Sequence, residues 1–381
     1  MSAEQELRGI NSLPMELCDE IVLLVATESL SLCSCDVDGH DYYSFKERNK
    51  RLRRPRLVNK LFHQSATRIL FKDTIMCYEG PLRDDINQTE TKLQGIIASG
   101  LTRYIQNLHV DPKLLCRSFH LLFQNLHCLQ GFFCNVSTPR DDERDFIFTA
   151  LQHAHPPSLR TLRLRGYGLG HHPSFERMLV IFLPQLQDLS VELRGKTKEP
   201  KDTIFCLGEQ IFRHAQRLRS LVIKWYDFEV PGYHSFLPLD APLERLHLTR
   251  VVISYELLSA VLSYRETLFY LRFRGVTLRT GSWAQFLTSL RRFPKLVDLM
   301  VLGCRYEPSA AHNDFEEISR FSTLRPDDIS AYEACLAEVK ARQKETGYKE
   351  PWTTSWSDLD PGRHWTRLAI RLDSQNTGLS E

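Results

Sequence analysis

The chain has 381 residues, of which 42% are hydrophobic and 25% are charged, and its formal net charge is +2. This composition is typical of a folded globular protein, and the length favours two domains or a repeat array over a single core. The near-neutral charge excludes a global attraction to nucleic acid or membranes. The chain start lacks the basic and apolar regions of a signal peptide, and no apolar run approaches the ~20 residues of a membrane span. Because the ten cysteines form no CxxC pair, we expect free thiols in a cytoplasmic or nuclear protein without a membrane partner.

The first predicted element is an amphipathic helix in SLPMELCDEIVLLV, residues 12–25. Ser12 is a helix-capping residue, and Pro14 suits the first turn because its missing N–H would be unpaired there in any case. The apolar residues form two adjacent stripes: Leu17, Ile21 and Leu24 on one, and Cys18, Val22 and Val25 on the other. Two stripes are more than a small helical hairpin can bury, so we expect part of this surface to meet another element or another protein.

A second helix is predicted in PRLVNKLFHQSATRILFK, residues 55–72, because apolar residues recur there at helical spacing after an initial proline. A polar insertion at about residues 32–53 separates the two helices. Ten basic residues and one acidic residue lie between Lys46 and Lys72, a pattern found in nuclear-localisation and nucleic-acid-binding segments. No aromatic interleaving in KERNKRLRRPR supports base stacking. We favour a solvated loop leading into a helix, with nuclear import or nucleic-acid binding as the alternatives.

Together the two helices resemble an F-box, in the form common in fungal proteins. The family pattern is Leu-Pro before an amphipathic helix, then a helix of the form Arg-Leu-Val-x-Lys-x-Phe-His-x-x-Ala-Thr-x-x-Leu-Phe, and both halves occur in order within a domain predicted at residues 10–78. The long insertion departs from the family pattern. The resemblance implies a small helical domain that binds a Skp-family adaptor. It implies adaptor contacts at Leu13, Pro14, Leu17, Ile21, Leu24, Leu57, Val58, Phe62 and Leu70.

Some of these nine residues must instead form the core of the domain itself, and the sequence does not separate the two sets.

Residues 100–306 carry an internal repeat of the form Leu-x-x-Leu-x-apolar. Strong copies begin at Leu159, Leu186, Leu218, Leu243, Leu268 and Leu296, and weaker copies begin at Ile105 and Leu126. One strand and one helix per ~25–30 residues is the plan of a leucine-rich repeat solenoid. The usual buried Asn after the strand is missing, with Cys304 as its only accepted substitute. We therefore predict an α/β fold: a small helical F-box-like domain, an irregular leucine-rich repeat solenoid of parallel strands and helices, and a C-terminal cap.

The cap is assigned to residues 307–381, where the repeat pattern ends. The segment PDDISAYEACLAEVKARQKE favours a capped polar helix, and a stretch with three tryptophans follows it. We interpret this region as a helix and tail that cover the open end of the solenoid, with a peptide-binding or regulatory tail as the alternative.

Alternation along each repeat strand points the leucines into the core and the intervening residues onto the concave face. Across the six strong copies this face carries seven basic residues, counting one histidine, and three acidic ones. Arginine forks bind carboxylate and phosphate, so the face favours an acidic or phosphorylated protein segment, and an ordinary solvated strand face is the alternative. The candidate substrate-binding residues are Arg163, Arg165, Lys224, Arg245, His247, Arg272 and Arg274.

The sequence offers no pattern for catalysis, a cofactor or a metal ion. SCDVDGHDYYSF resembles a calcium loop, but Phe45 stands where a bidentate Glu is required. Cys33, Cys35 and His40 lack a fourth ligand at zinc spacing. Walker lysine, GxSxG and HExxH motifs are absent, and GYGLG at Gly166 lies on a predicted repeat turn.

The F-box resemblance implies a non-catalytic substrate receptor of an SCF-type ubiquitin ligase. The adaptor would link the chain to a cullin scaffold, partner proteins would transfer ubiquitin, and this chain would supply proximity. Two other classes stay open: a ligase-independent interaction scaffold with a degenerate F-box, and a basic nuclear protein associated with nucleic acid.

Overall fold

The structure is a computed structural model. It describes residues 13–27, 51–52, 54–76, 84–110, 118–136, 141–167, 173–194, 214–225, 237–238, 240–306 and 325–348. Most of the polar insertion, the calcium-like loop and the tryptophan-rich tail lie outside the described residues. The described chain divides into a first unit that ends at Leu70 and a second that spans Phe71–Tyr348. Within the described residues, no helix is both long enough and apolar enough to cross a bilayer.

The first unit contains helix α1 (Met15–Thr27) and all but the last two residues of helix α2 (Lys60–Lys72), with a 3-10 turn at Pro55–Leu57 before α2. The predicted second helix therefore begins five residues later than expected. The cause is Asn59, whose side-chain oxygen accepts the N–H of Phe62 at 2.9 Å and caps α2.

A small apolar core joins α1 to α2. The core consists of Cys18, Val22, Leu52, Phe62 and Ala66. Beside it, the hydroxyl of Ser65 donates to the sulfur of Met15 at 3.2 Å, and Arg68 forms an ion pair with Asp19. The core residues of α1, Cys18 and Val22, come from one apolar stripe. The other stripe, with Leu17, Ile21 and Leu24, is therefore outside this core.

The second unit is an α/β repeat in which parallel strands alternate with helices, as the repeat pattern predicts. Its main sheet, over the described residues, runs in the order β1 (Asp73–Met76), β2 (Asn107–Val110), β3 (Gly131–Val136), β4 (Thr161–Tyr167), β5 (Asp188–Arg194), β6 (Ser220–Trp225), β7 (Arg245–Thr249), β9 (Tyr270–Arg274) and β11 (Asp298–Leu302). A second parallel sheet contains β8 (Val252–Ile253), β10 (Thr277–Leu278) and β12 (Arg305–Tyr306). Each repeat thus pairs with the one before it, as in a solenoid.

In the described residues, helices follow most strands of the repeats, and the last of them comes after the final strand. They are α3 (Asp84–Ala98), α4 (Ser118–Gln124), α5 (Asp141–Ala154), α6 (Pro173–Phe182), α7 (Tyr255–Leu262), α8 (Trp283–Leu290) and α9 (Pro326–Thr346). The consensus leucines of the strands are buried against these helices, for example Leu159, Leu162 and Leu164. Phenylalanines of the helices, such as Phe148 and Phe175, fill the same continuous core.

Two repeats differ from the sequence prediction because other residues occupy their leucine positions. β3 pairs Phe132 with Leu162 and Cys134 with Leu164, so this copy begins at Leu129 and not at Leu126. β1 places Thr74 opposite Leu108, where the pattern requires an apolar residue. The repeat sheet therefore starts at Asp73, before the boundaries predicted at residues 78 and 100.

Helix α9 lies beside α8 and β11 and adds Cys335 and Val339 to the core. In the preceding repeat, the carbonyl of Phe269 accepts the N–H groups of Val297 and Asp298. At the last strand the equivalent carbonyl is that of Val297, and the side chain of Gln343 donates to it at 2.6 Å. At this carbonyl, a side chain of α9 thus replaces the backbone donor that a further repeat would supply at the edge of the sheet.

One turn position recurs between each main strand and the short strand after it. Arg250, Gly275 and Gly303 occupy it with φ angles of 55°, 61° and 59°. A Cβ on Gly275 would lie 3.3 Å from Cγ of Arg250. Gly166 holds the same repeat position but lies inside β4, so the turn predicted there is wrong.

We expect Gly275→Ala to lower the free energy of unfolding, because the left-handed conformation costs an L-residue about 1–2 kcal/mol and the new Cβ crowds Arg250. Gly95→Ala is the matched control. Gly95 lies in α3 with open space around it, so alanine should stabilise that helix by roughly 0.5–1 kcal/mol. Denaturant unfolding of both variants checks the signs, and equal effects would contradict the strained turn.

Candidate functional site

The first candidate surface is apolar and lies on the helical unit. The core takes the stripe of α1 that contains Cys18 and Val22. The other stripe is exposed: Leu17, Ile21 and Leu24 reach the surface, and Leu24 is 67% exposed. The structure therefore separates the two stripes that the sequence left together.

The turn before α2 extends the set of exposed apolar residues. Leu57 is 87% exposed, and Val58 beside it is also exposed. Leu57 ends the 3-10 turn and Val58 follows it before the Asn59 cap, and neither belongs to the core of the unit. Leu23 is a further exposed residue that the sequence analysis missed, because it falls outside both apolar stripes. Exposed apolar side chains that form a contiguous patch are typical of interaction sites.

The nine predicted adaptor contacts thus fall into two sets. Phe62 belongs to the core of the unit, and Leu13 and Leu70 pack against that core while partly exposed. Phe62 is too buried to contact a partner, so its predicted role as an adaptor contact is wrong. The exposed set comprises Pro14, Leu17, Ile21, Leu24, Leu57 and Val58.

The second candidate surface is the concave face, defined as the strand residues that alternate with the core leucines. Strand register arranges these residues in three rows across β4, β5, β6, β7, β9 and β11. The first row is Thr161, Asp188, Ser220, Arg245, Tyr270 and Asp298. The second row is Arg163, Ser190, Val222, His247, Arg272 and Met300. The third row is Arg165, Glu192, Lys224, Thr249, Arg274 and Leu302.

Ion pairs connect the acidic residues of this face to its arginines. Arg245 donates to Asp188 at 2.9 Å across the intervening strand β6. Arg272 donates through Nε to Asp298 at 3.0 Å and through a second nitrogen to the other carboxylate oxygen. Arg245 and Arg272, both predicted to bind the substrate, are thus each directed to a carboxylate of the sheet.

His247 is neutral in the folded protein. Burial first, and then the charges of Lys224, Arg272 and Arg274, lower its pKa to about 3. Its ring forms a 2.9 Å hydrogen bond with the hydroxyl of Thr249. At 8% exposure, His247 does not act as a cation for an outside ligand, contrary to the sequence prediction.

The alternative of an ordinary solvated strand face is also wrong at one end of the sheet. Arg272 is 5% exposed, and Asp298 beside it is equally buried. Tyr348, which follows α9, contacts Tyr270 with ring centroids 6.1 Å apart. The first two rows are therefore partly covered on β7, β9 and β11.

The third row keeps its cationic character. Arg165 pairs with Glu192 at 2.7 Å, and the side chain of Arg165 is still 38% exposed. Burial lowers the pKa of Lys224, Glu192 raises it, and the nearby Arg165, Arg163 and Arg274 lower it further. Arg274 is exposed. Of the seven predicted substrate residues, Arg163, Arg165, Lys224 and Arg274 lie at least partly at the surface, with Arg165 in its ion pair with Glu192, while the substrate role itself stays a prediction.

The buried thiols near the last repeat are not nucleophiles. Burial raises the pKa of Cys304 to about 12 and that of Cys335 to about 11, so both are protonated near neutral pH. Cys304 holds the position of the usual repeat asparagine, and its thiol lies 3.6 Å from the carbonyl of Leu302. In the described part of the chain, no group of three His, Cys, Asp or Glu side chains is arranged to hold a metal ion.

Comparisons with known proteins give little further information. No known protein family and no curated protein matches the chain. Among solved structures, a chain of the Rad7 and Elc1 complex of yeast is similar at 13% identity and a TM-score of 0.31, covering 85% of this chain and 98% of that chain.

We expect Arg272→Met to destabilise the protein strongly, because it leaves the carboxylate of Asp298 buried without its cation, a change that typically costs ~3–5 kcal/mol. The double variant Arg272→Met/Asp298→Leu should recover much of that loss. Arg274→Gln, on the same strand but exposed, should change stability by less than about 0.5 kcal/mol. Chemical denaturation of the three variants measures these differences, and equal effects of the two single substitutions would disprove the structural role of Arg272.

A pH prediction follows from His247. Its pKa is about 3 in the fold and about 6.5 when unfolded, so its contribution to stability is present above pH 6.5 and is lost as pH falls toward 3. His247→Gln should reduce the slope of unfolding free energy against pH by up to about 1.4 kcal/mol per unit between pH 6 and 4. Parallel stability curves for the two proteins would contradict the neutral, buried histidine.

Proposed function

We propose that this chain is a substrate-receptor subunit of an SCF-type ubiquitin ligase. The helical unit binds a Skp-family adaptor, and the repeat unit binds a protein substrate. The observation that carries the proposal is the exposed stripe of Leu17, Ile21 and Leu24 on a helix whose opposite stripe already fills the core.

The energetics of this stripe favour a protein partner. Burial of an aliphatic side chain at an interface centre contributes ~1–3 kcal/mol, so the stripe of α1 and the exposed pair Leu57 and Val58 together can support a stable complex. The identity of the partner comes from the F-box resemblance of residues 12–25 and 55–72. The exposed apolar residues lie in both halves of that pattern, as a joint adaptor surface requires.

The proposed role is non-catalytic. The adaptor links the chain to a cullin scaffold, and the partner proteins transfer ubiquitin to a substrate that the repeat unit holds nearby. Holding two reactants together raises the effective concentration of one at the other, which is a sufficient contribution for a receptor subunit.

The test is adaptor binding by the double variant Leu17→Ala/Leu24→Ala. Each substitution should weaken the affinity for a recombinant Skp-family adaptor by about tenfold, since each removes ~1–3 kcal/mol of apolar burial. Val180→Ala/Ile181→Ala is the control, because these exposed residues of α6 belong to the repeat unit. Titration calorimetry gives the affinities, and circular dichroism verifies the folds.

Affinity purification separates the proposal from its alternatives. Adaptor and cullin subunits in the eluate support the receptor. An eluate without them supports a ligase-independent scaffold, and association that nuclease abolishes supports a nucleic-acid-associated protein.

A further inference from the structure

We propose that the third row of the concave face binds an extended anionic segment of the substrate protein, which crosses the strands with a negative side chain at every third residue. This inference rests on the proposed function for the statement that the ligand is a protein substrate. It assigns the substrate class and the residues that hold it.

The distribution of charge over the rows selects the third. The first row carries one cation, Arg245, and two carboxylates, Asp188 and Asp298. The third row carries three cations, Arg165, Lys224 and Arg274, and one carboxylate. The second row has the same net charge as the third, but its Arg272 is buried and paired with Asp298, so the third row has the most cations at the surface, where an anion would be attracted.

The cations of the third row act on one another. Burial is the main factor that disfavours the charge on Lys224, Glu192 favours that charge, and Arg165 and Arg274 disfavour it across the strands between them. An anion laid along the row would relieve this repulsion. Its contacts would be charge-assisted hydrogen bonds, which are stronger than neutral ones.

The spacing of the cations defines the form of the ligand. Arg165, Lys224 and Arg274 lie on β4, β6 and β9, so one strand separates each from the next. Neighbouring strands are about 4.8 Å apart, which places successive cations roughly 9.6 Å apart. A polyproline II segment advances about 9.3 Å in three residues and returns its side chains to the same side. Acidic or phosphorylated side chains at positions i, i+3 and i+6 therefore match the row, whereas one small anion reaches only part of it.

The neighbouring aromatic residue favours a peptide over single-stranded nucleic acid. Bases need an aromatic face on which to stack. The ring of Phe133 is stacked against His109 at 4.1 Å, and the guanidinium of Arg163 lies 5.1 Å from its centroid. Because its ring is engaged within the protein, Phe133 does not offer the open platform that base stacking uses.

The experiment measures binding of a labelled synthetic peptide to the full chain by fluorescence anisotropy. The peptide has three glutamates at every third residue in a proline- and serine-rich background, and a second peptide has the same composition with its glutamates adjacent. We expect the spaced peptide to bind more tightly and to weaken as salt rises. Lys224→Met and Arg274→Gln should each reduce its affinity by about threefold or more. Arg217→Gln is the control, because it removes one exposed charge before β6 and outside the rows.

Three results would overturn the inference. They are equal affinity for the two peptides, unchanged affinity in both row variants, and salt-independent binding. A single-stranded oligonucleotide that displaces the spaced peptide and binds more tightly would also overturn it. A version of the peptide with phosphoserine at the spaced positions tells the two anion sources apart: tighter binding than glutamate supports a phosphorylated segment, and equal binding supports an acidic one.

Adaptor titration of the same variants keeps the two proposals distinguishable. Arg274→Gln should leave adaptor affinity unchanged. If the wild-type protein binds the adaptor but not the spaced peptide, the inference is overturned and the proposed function is not. If the wild-type protein does not bind the adaptor, the proposed function is overturned.

Discussion

The repeat unit depends on one constraint: a single strand and helix cannot bury its own leucines, so each repeat must stack in register on the next. Leu162, Leu189 and Leu221 are paired side by side for this reason. The same register fixes the residues that alternate with them, and polar side chains from distant parts of the sequence form continuous rows. Where the stacking ends, Gln343 supplies the donor that a further strand would have supplied. The charged surface is thus a consequence of how the core is built.

Sequence reasoning reached the parallel repeat fold because leucine is needed at a fixed position in nearly every repeat. The repeat pattern did not reveal β1 or the correct register of β3, because it was recognised by its leucines. Thr74 in β1, and Phe132 and Cys134 in β3, occupy the positions of those leucines. It identified which residues face away from the core but not how they pair. Arg245 reaches Asp188 over an intervening strand, and such a contact depends on side-chain reach that the repeat pattern does not encode.

In the helical unit too, the sequence pattern did not show which residues pack together. Periodicity predicted two apolar stripes on α1 without deciding which one is buried. The decision rests on Leu52, Phe62 and Ala66, which come from outside α1 and pack on Cys18 and Val22. The start of α2 was likewise set by a local hydrogen bond of Asn59 rather than by the proline before it. Packing partners, not patterns, therefore distinguish core residues from contact residues in so small a unit.

The two candidate surfaces differ in their physics, and this difference makes the account testable as a whole. An apolar stripe binds by excluding water and responds weakly to salt, whereas the third row acts through charge and is screened. The most direct measurement is hydrogen exchange of the full chain with and without a recombinant Skp-family adaptor. The account predicts slowed exchange in peptides from residues 13–27 and 54–72 and unchanged exchange in β4, β6 and β9. Slowed exchange in those strands alone, or no change anywhere, would contradict it.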